Sequence, residues 1–553
     1  MAPLTDLPVE ILQDNLVPFL PAKELLRLTC TNKAFAALCS DEAIWKRKLV
    51  ADFNYTGAGT ARTNGWKVIY RGLHRPKAFF CRERANGRLG VVDLPKRSVQ
   101  GVPFPFQLKF PPSTRIVSLA AGGMSFYALD SEGFMHVWGT LDGSTYALDS
   151  DGFEDAGKTA YTPHRLLMPS PIRSVSCGRL HASALDSRNR IWNFVNWGRP
   201  FSIDSPVLHD LTAPPVQVES GWSFSAVLLA SGEIFVWWPF NDPLAHIIQE
   251  HRDAIGPDQS KRARANDKRE ISCLTWDVNS VELTRLPHLP ELPTLGDIGN
   301  AEDDQPPRIV QIAGLDSRIV GVTDQGHVLA FGRLSDAEDI SNSTWEYLPN
   351  FSDLNLVRRH KTFADNLAVP PDVMKITHVT GNFRHFVAYS TGSSSLVLIG
   401  EDTTTPQSTP DIKPGLQNRS VISVAIGDWH SAALTADGKV LTWGEFSSGA
   451  LGLGDPAKLA PGTPGGYSAN TGRRQARPES VVTPTVVRFD YGTKEPRDRF
   501  AFELTAAGWH TGALVMDLDV SVLRLAVGSF DKDHSRMATS FSPLLLCLCS
   551  VPP

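Results

Sequence analysis

The sequence predicts a small all-α segment at the N-terminus followed by an all-β propeller of seven blades. Three observations carry that expectation. A hairpin-forming unit recurs along most of the chain. The 43 Gly and 40 Pro accompany only 20% charged residues, so turns are frequent. Residues 1–50 alone carry helical rather than hairpin patterning.

Residues 1–50 read as short helices. Thr5 and Asp6 offer capping oxygens, Pro8 fits a first turn, and Glu10 suits the positive end of the helix dipole. Leu12, Leu16, Phe19 and Leu20 recur as one apolar stripe on a helix that Pro18 and Pro21 end. Leu25, Leu26 and Leu28 fall on a second helix; Phe35, Leu38, Trp45 and Leu49 fall on a third. So small a unit buries little surface by itself, and its stripe needs the rest of the chain or a partner. The order Leu7-Pro8-Val9-Glu10-Ile11-Leu12, then Leu20-Pro21-Ala22-Lys23-Glu24-Leu25-Leu26-Arg27-Leu28, then Asn32-Lys33-Ala34-Phe35 and Trp45, resembles an F-box. The resemblance implies docking to the Skp-type adaptor of a cullin–RING ubiquitin ligase, with apolar anchors in a groove and charges at the rim. By motif position it implies Leu7, Pro8, Ile11, Leu12, Leu16, Leu20, Leu25 and Leu28 as adaptor contacts. Some of these must instead be the unit's own core, and the sequence does not separate them.

The repeated unit is clearest in "GDWHSAALTADGKVLTWG", with Gly427, His430, Leu434, Gly438 and Trp443-Gly444. Gly122, Ser125, Leu129, Gly133 and Trp138-Gly139 keep the same spacing, as do Gly178, His181, Leu185, Asn189 and Phe194, and Gly221, Phe224, Leu228, Gly232 and Trp237. Looser copies start at Gly314 and Gly381, and a truncated seventh holds Gly508, His510 and Leu514. Each copy is an apolar strand, a tight turn such as Ala436-Asp437-Gly438, and a second apolar strand, which is hairpin grammar. One hairpin cannot bury its faces, so several at a regular period suggest a solenoid or, the reading favoured here, a closed propeller with one blade per repeat. The run Trp443-Gly444 to Gly449, Gly452 and Gly454 resembles the regulator-of-chromosome-condensation repeat, over roughly residues 115–519. An F-box followed by such repeats resembles the fungal SCF-associated factor family.

These readings divide the chain into residues 1–50, the F-box; 51–114, a linker with a ring-closing strand; 115–519, the propeller; and 520–553, an atypical tail. The seventh copy is incomplete, so Lys77–Leu94 is expected to pair with the last blade. Long charged insertions fall near 240–307 and 456–480; residues 250–270, 287–307 and 456–480, the last carrying Arg473, Arg474 and Arg477, are expected to be mobile surface loops. The tail abandons the repeat, and Val520-Ser521 can be encoded as GTAAGT, the usual start of a fungal intron. It is therefore expected to be translated intron, which a transcript spanning Asp519 tests.

Candidate chemistry is sparse. Gly152–Thr159 matches the phosphate-loop pattern G-x(4)-G-K-[ST], but Pro163 follows where a helix must begin, and Glu154 and Asp155 stand where phosphate would lie. His181, His385, His430 and His510 share one repeat position that also holds Ser125 and Phe224, so a stabilising hydrogen bond is expected there, not a metal. Trp222, Trp429 and Trp509 flank it, as blade packing or as a recognition surface. Seven scattered Cys suggest free thiols. No catalytic residue, cofactor or metal site is expected, and the substrate-binding residues are unknown from sequence.

A formal net charge of -5 argues against nucleic acid as a partner. No stretch is long and apolar enough for a membrane helix, and no signal peptide is visible, so a cytoplasmic or nuclear location is expected. Without secretion, the sequons at Asn54 and Asn342 carry no meaning. The leading expectation is a non-catalytic substrate-recognition subunit of an SCF-type ligase, the propeller holding a protein for ubiquitination and degradation. The alternatives are a guanine-nucleotide exchange factor or chromatin-associated propeller, and a scaffold outside any ligase.

Overall fold

The computed structural model describes residues 7–83, 85–92, 101–142, 150–254, 262–279, 281–296, 305–391, 395–468, 478–491 and 498–518. Thr5, Asp6, Arg473, Arg474, Arg477 and the tail at 520–553 lie outside these residues.

Five helices open the chain: α1 (Val9–Asn15), α2 (Ala22–Thr29), α3 (Lys33–Leu38), α4 (Glu42–Phe53) and α5 (Trp66–Gly72). The expected first stripe breaks, because α1 ends at Asn15 and a 3-10 turn follows over Val17–Phe19. The expected third helix is two. Asn32 caps α3 by accepting from Phe35 N, and Asp41 caps α4 by accepting from Ala43 N. Helix α4 ends on Asn54 in the left-handed conformation. Helix α5 lies in the span read as a linker. It packs on α4 through Tyr70, whose ring meets Trp45 at 5.0 Å and Phe53 at 5.1 Å, edge to face.

Seven sheets follow, one per blade. The innermost strands of blades 1 to 6 are Ile116–Ala121, Ile172–Cys177, Pro215–Ser220, Ile309–Gly314, His378–Asn382 and Val421–Ile426. Blade 7 is composite: Arg499–Ala507 and His510–Asp517 come from the C-terminal side, then β1 (Lys77–Glu83) and β2 (Gly101–Leu108) from the N-terminal side. Lys77 stands opposite Val515 and Phe80 opposite Gly512, antiparallel. A Cβ at Gly512 would sit 2.7 Å from the Phe80 ring, so the ring closes over a residue with no side chain. The segment expected to clasp the ring supplies only β1 as far as Glu83; the outer strand β2 was not foreseen.

The turn glycines Gly133, Gly232, Gly326 and Gly438 all have positive φ, from 79° to 97°. Asn189 takes the same place in blade 2 at φ 64°, which Asn tolerates better than most residues. Gly449, at φ 99°, lies so close to β2 that a Cβ would meet Pro103 Cα at 2.7 Å. The glycine run after Trp443-Gly444 thus lets blade 6 reach blade 7.

The expectation of a mobile loop at 250–270 is corrected at its two ends, and the insertion outside that stretch also carries regular structure. Leu244–Asp253 is a helix, and Glu270–Ser272 and Trp276–Val278 add outer strands, parallel, to blades 1 and 2. Opposite charges meet across the first pairing, Arg165 facing Glu270 in register and forming an ion pair. His251 of the helix stacks on Trp276 at 3.8 Å.

The helical unit and the propeller share one apolar core. Leu12, Val17, Leu25, Trp45, Leu49, Trp66 and Tyr70 join Phe80, Ile116, Val117, Phe502, Leu514 and Met516 in a single buried cluster. Residues 54–62 run along the base of the ring. Asn54 Nδ2 donates to Ile172 O at 2.9 Å, and Arg62 Nη1 donates to Ala436 O at 3.2 Å.

Candidate functional sites

The eight motif positions of the helical unit separate by burial. Leu7 and Ile11 are 44% and 48% exposed, and Pro8 is exposed beside them. Leu12 and Leu25 are buried in the shared core, so these two are packing residues and not an exposed docking face. Leu16, Leu20 and Leu28 are half-buried against that core. Four exposed apolar side chains of the unit were not among these positions: Val9, Phe19 at 77%, Leu26 and Val50. Only the break after Asn15 turns Phe19 outward, and no helical periodicity announces that break.

The phosphate-loop match resolves into an internal clasp. A strand, Ala160–Leu167, follows Thr159 where a nucleotide loop needs a helix. Lys158 Nζ donates to the carbonyl of Ser150. The acids answer to the insertion: Asp151 pairs with Arg262 at 2.8 Å and also with Arg264, Asp155 pairs with Arg252 at 3.2 Å, and Glu154 accepts from Ala263 N at 3.2 Å. Phe153 N donates to Ala263 O at 2.8 Å, completing the fit.

Two of the repeated histidines, His181 and His430, tie neighbouring blades. His181 Nε2 lies 2.7 Å from Ser225 Oγ of blade 3, and His430 Nε2 lies 2.9 Å from Thr511 Oγ1 of blade 7. Burial lowers both imidazoles to about 4, so they are neutral at pH 7. His510 is buried against the Phe126 ring at 4.4 Å. Among the described residues no group of His, Cys, Asp or Glu is arranged to hold a metal ion. No helix among them is long and apolar enough to cross a membrane.

The end of the ring opposite the helices carries the loops that leave each innermost strand. Five of these strands are six residues long and span roughly 20 Å. Glycine is required here by close approach: a Cβ at Gly178 would meet Gly221 O at 2.0 Å. Trp222 N donates to Asp316 O, and Asp316 N to Phe383 O, at 3.1 and 2.9 Å. Arg179 Nη1 reaches both oxygens of Asp428, at 2.9 and 3.0 Å, across the channel. Its guanidinium lies 5.1 Å from the Trp222 ring and 5.7 Å from the Phe383 ring. Trp429 is 62% exposed and Trp509 39%. Asp316 has no hydrogen-bond or ion-pair partner for its carboxylate among the described residues, and burial pushes its carboxyl up to about 7.

Comparison with known proteins matches both halves of this architecture. The F-box-like family model matches residues 4–50, and the Regulator of chromosome condensation (RCC1) repeat model matches 421–450. SCF-associated factor 1 of Saccharomyces cerevisiae is 26% identical over 353 residues, 62% of this chain and 42% of that protein. The human Regulator of chromosome condensation is 35% identical over 101 residues, 17% of this chain and 23% of that one. The chain spans less than half the length of the curated relatives it matches. Among solved structures, yeast RCC1 (Prp20), in a complex with Kap60, aligns over 83% of this chain and 92% of that chain, at 16% identity and a TM-score of 0.50. That likeness is one of fold. The chain therefore joins an F-box-like segment at residues 4–50 to a seven-bladed propeller that contains an RCC1 repeat.

Proposed function

We propose that this chain is a substrate-recognition subunit of an SCF-type cullin–RING ubiquitin ligase. In this reading the helical unit binds a Skp-type adaptor, and the propeller holds a protein for ubiquitination and proteasomal degradation in the cytoplasm or nucleus. The observation that carries it is the pairing of an F-box-like segment, its apolar Leu7, Ile11 and Phe19 left exposed, with a propeller fixed to it by a common core. Similarity to SCF-associated factor 1 supports it. The chain itself performs no chemistry. A receptor of this kind raises the effective concentration of substrate lysines near a charged conjugating enzyme, to the millimolar range when the tether is short.

Ile11→Asp combined with Phe19→Asp is expected to cut co-purification with a recombinant Skp-type adaptor at least tenfold while leaving the melting temperature unchanged. Undiminished co-purification defeats the reading. Leu12→Asp is the wrong probe, because Leu12 is a core residue and its loss unfolds the unit. A second reading, nucleotide exchange on a small GTPase, is favoured by short matches such as the 101 residues shared with the human Regulator of chromosome condensation. Accelerated release of bound GDP from a GTPase by the purified chain would establish it.

A further inference from the structure

The loops opposite the helical unit form an open recess of about 490 Å³, bounded by Trp222, Ser223, Asp316, Phe383 and Arg384. Two features mark it as more than a gap between blades. Phe383 holds φ 55°, a conformation costly for a bulky side chain, and thereby presents its ring beside that of Trp222, 6.4 Å away. Asp316 lines the same recess, and among the described residues its carboxylate has no hydrogen-bond or ion-pair partner.

We propose that this recess holds one cationic side chain, lysine or arginine, of the protein that the propeller recruits. The occupant rests on the reading of the chain as a receptor. The class of ligand rests on the charges. Arg179 is matched by Asp428, and Arg384 faces Asp402 at 3.9 Å, so each cation present has its own aspartate. Asp316 is the unmatched charge. Arg179 already shows that a guanidinium sits over Trp222 and Phe383. Arg384 also lies over the Phe383 ring, at 5.4 Å, so a recruited cation would share these aromatic rings with the two arginines and gain an ion pair with Asp316. It would also offset the desolvation that raises the Asp316 carboxyl. Arg179, Arg384, Asp402 and Asp428 are the other charged groups that act on Asp316.

The test is a calorimetric titration of the full chain with the peptide Ac-Gly-Ser-Gly-Arg-Gly-Ser-Gly-NH2 and its lysine, citrulline and glutamate versions. The arginine peptide is expected to bind at least fivefold more tightly than the citrulline peptide, and to weaken as pH falls from 8 to 6. Asp316→Asn should erase both effects at an unchanged melting temperature. Phe383→Asn, which keeps the left-handed turn and removes the ring, should weaken the arginine peptide. Equal binding of arginine and citrulline peptides overturns the proposal, as does tighter binding of glutamate or an unaffected Asp316→Asn chain. Affinity that depends on chain concentration would make a second copy the occupant and would also overturn it. Adaptor co-purification with failed peptide binding sinks the recess alone; peptide binding without adaptor binding sinks the ligase reading alone.

Discussion

The two ends of the ring each hold an acid whose carboxyl burial has raised, and they hold it in opposite ways. At the base, Glu503 is pushed to about 8, yet Ser118 Oγ donates to it at 3.2 Å, and Tyr55 and Arg62 stand beside it. At the far end, Asp316 is pushed to about 7; Arg179 and Arg384 act on it only through space, and among the described residues no side chain forms a hydrogen bond or ion pair with its carboxylate. The base is a closed contact, where helices and blades share one core. The loop end is an open surface that keeps an unmet charge, a strained aromatic and exposed tryptophans. The difference teaches where each partner belongs. An end already filled by the chain's own side chains fixes geometry, and an end left incomplete is available to something else.

The largest expected break of this contrast is at the base. Phe80 sits over Gly512 where the ring closes, and it meets Phe126 and Trp138 edge to face at 4.9 and 5.3 Å. Phe80→Ala removes a fully buried ring from the core common to both units and should cost about 3–5 kcal/mol. Urea unfolding followed by tryptophan fluorescence measures it. A loss of under about 1 kcal/mol would mean that β1 is not what holds the ring shut.

Next comes pH. A carboxyl raised in the fold binds its proton more tightly than in the unfolded chain, so its contribution to stability falls as pH rises from its usual value of 4.5 toward 8. His181 and His430 act with the opposite sign, but only between about 4 and 6.5, where the unfolded chain takes up protons first. Above pH 6.5 Glu503 therefore acts without them, alongside the raised Glu219 and Asp316 up to about 7. From pH 6.5 to 8, Glu503→Gln should lose roughly 2 kcal/mol less stability than the parent chain. Parallel curves would show that Glu503 is ionised at the base after all.

Much of this was legible in the sequence, because a ring forces the same residue into the same place again and again. Gly427, His430, Gly438 and Trp443 each have a duty at the blade that their spacing reports. The helical unit was legible through its motif. Its inward and outward faces were not, since Phe19 turns out only where α1 stops. The outer strands Glu270–Ser272 and Trp276–Val278 were missed because short parallel edge strands in charged sequence carry no alternation. The recess was invisible for a different reason. Trp222, Asp316 and Phe383 come from three blades, and the copies at Gly314 and Gly381 were too loose to show that these loops meet.

The smallest effect probes the left-handed positions at both ends. Phe383 at φ 55° and Asn189 at φ 64° share one backbone conformation, which suits Asn and burdens Phe. Asn189 stands in a base turn that Asp186 grips through the backbone N–H groups of Arg188 and Arg190, at 2.8 and 2.9 Å. Asn189→Ala should cost about 1 kcal/mol and Asn189→Gly under about 0.5 kcal/mol, read as shifts in the urea midpoint. If alanine is as good as glycine there, the Asp186 grip alone sets the turn. Strain at φ near 60° would then be cheap in this ring, and the left-handed Phe383 would cease to mark the far end as special.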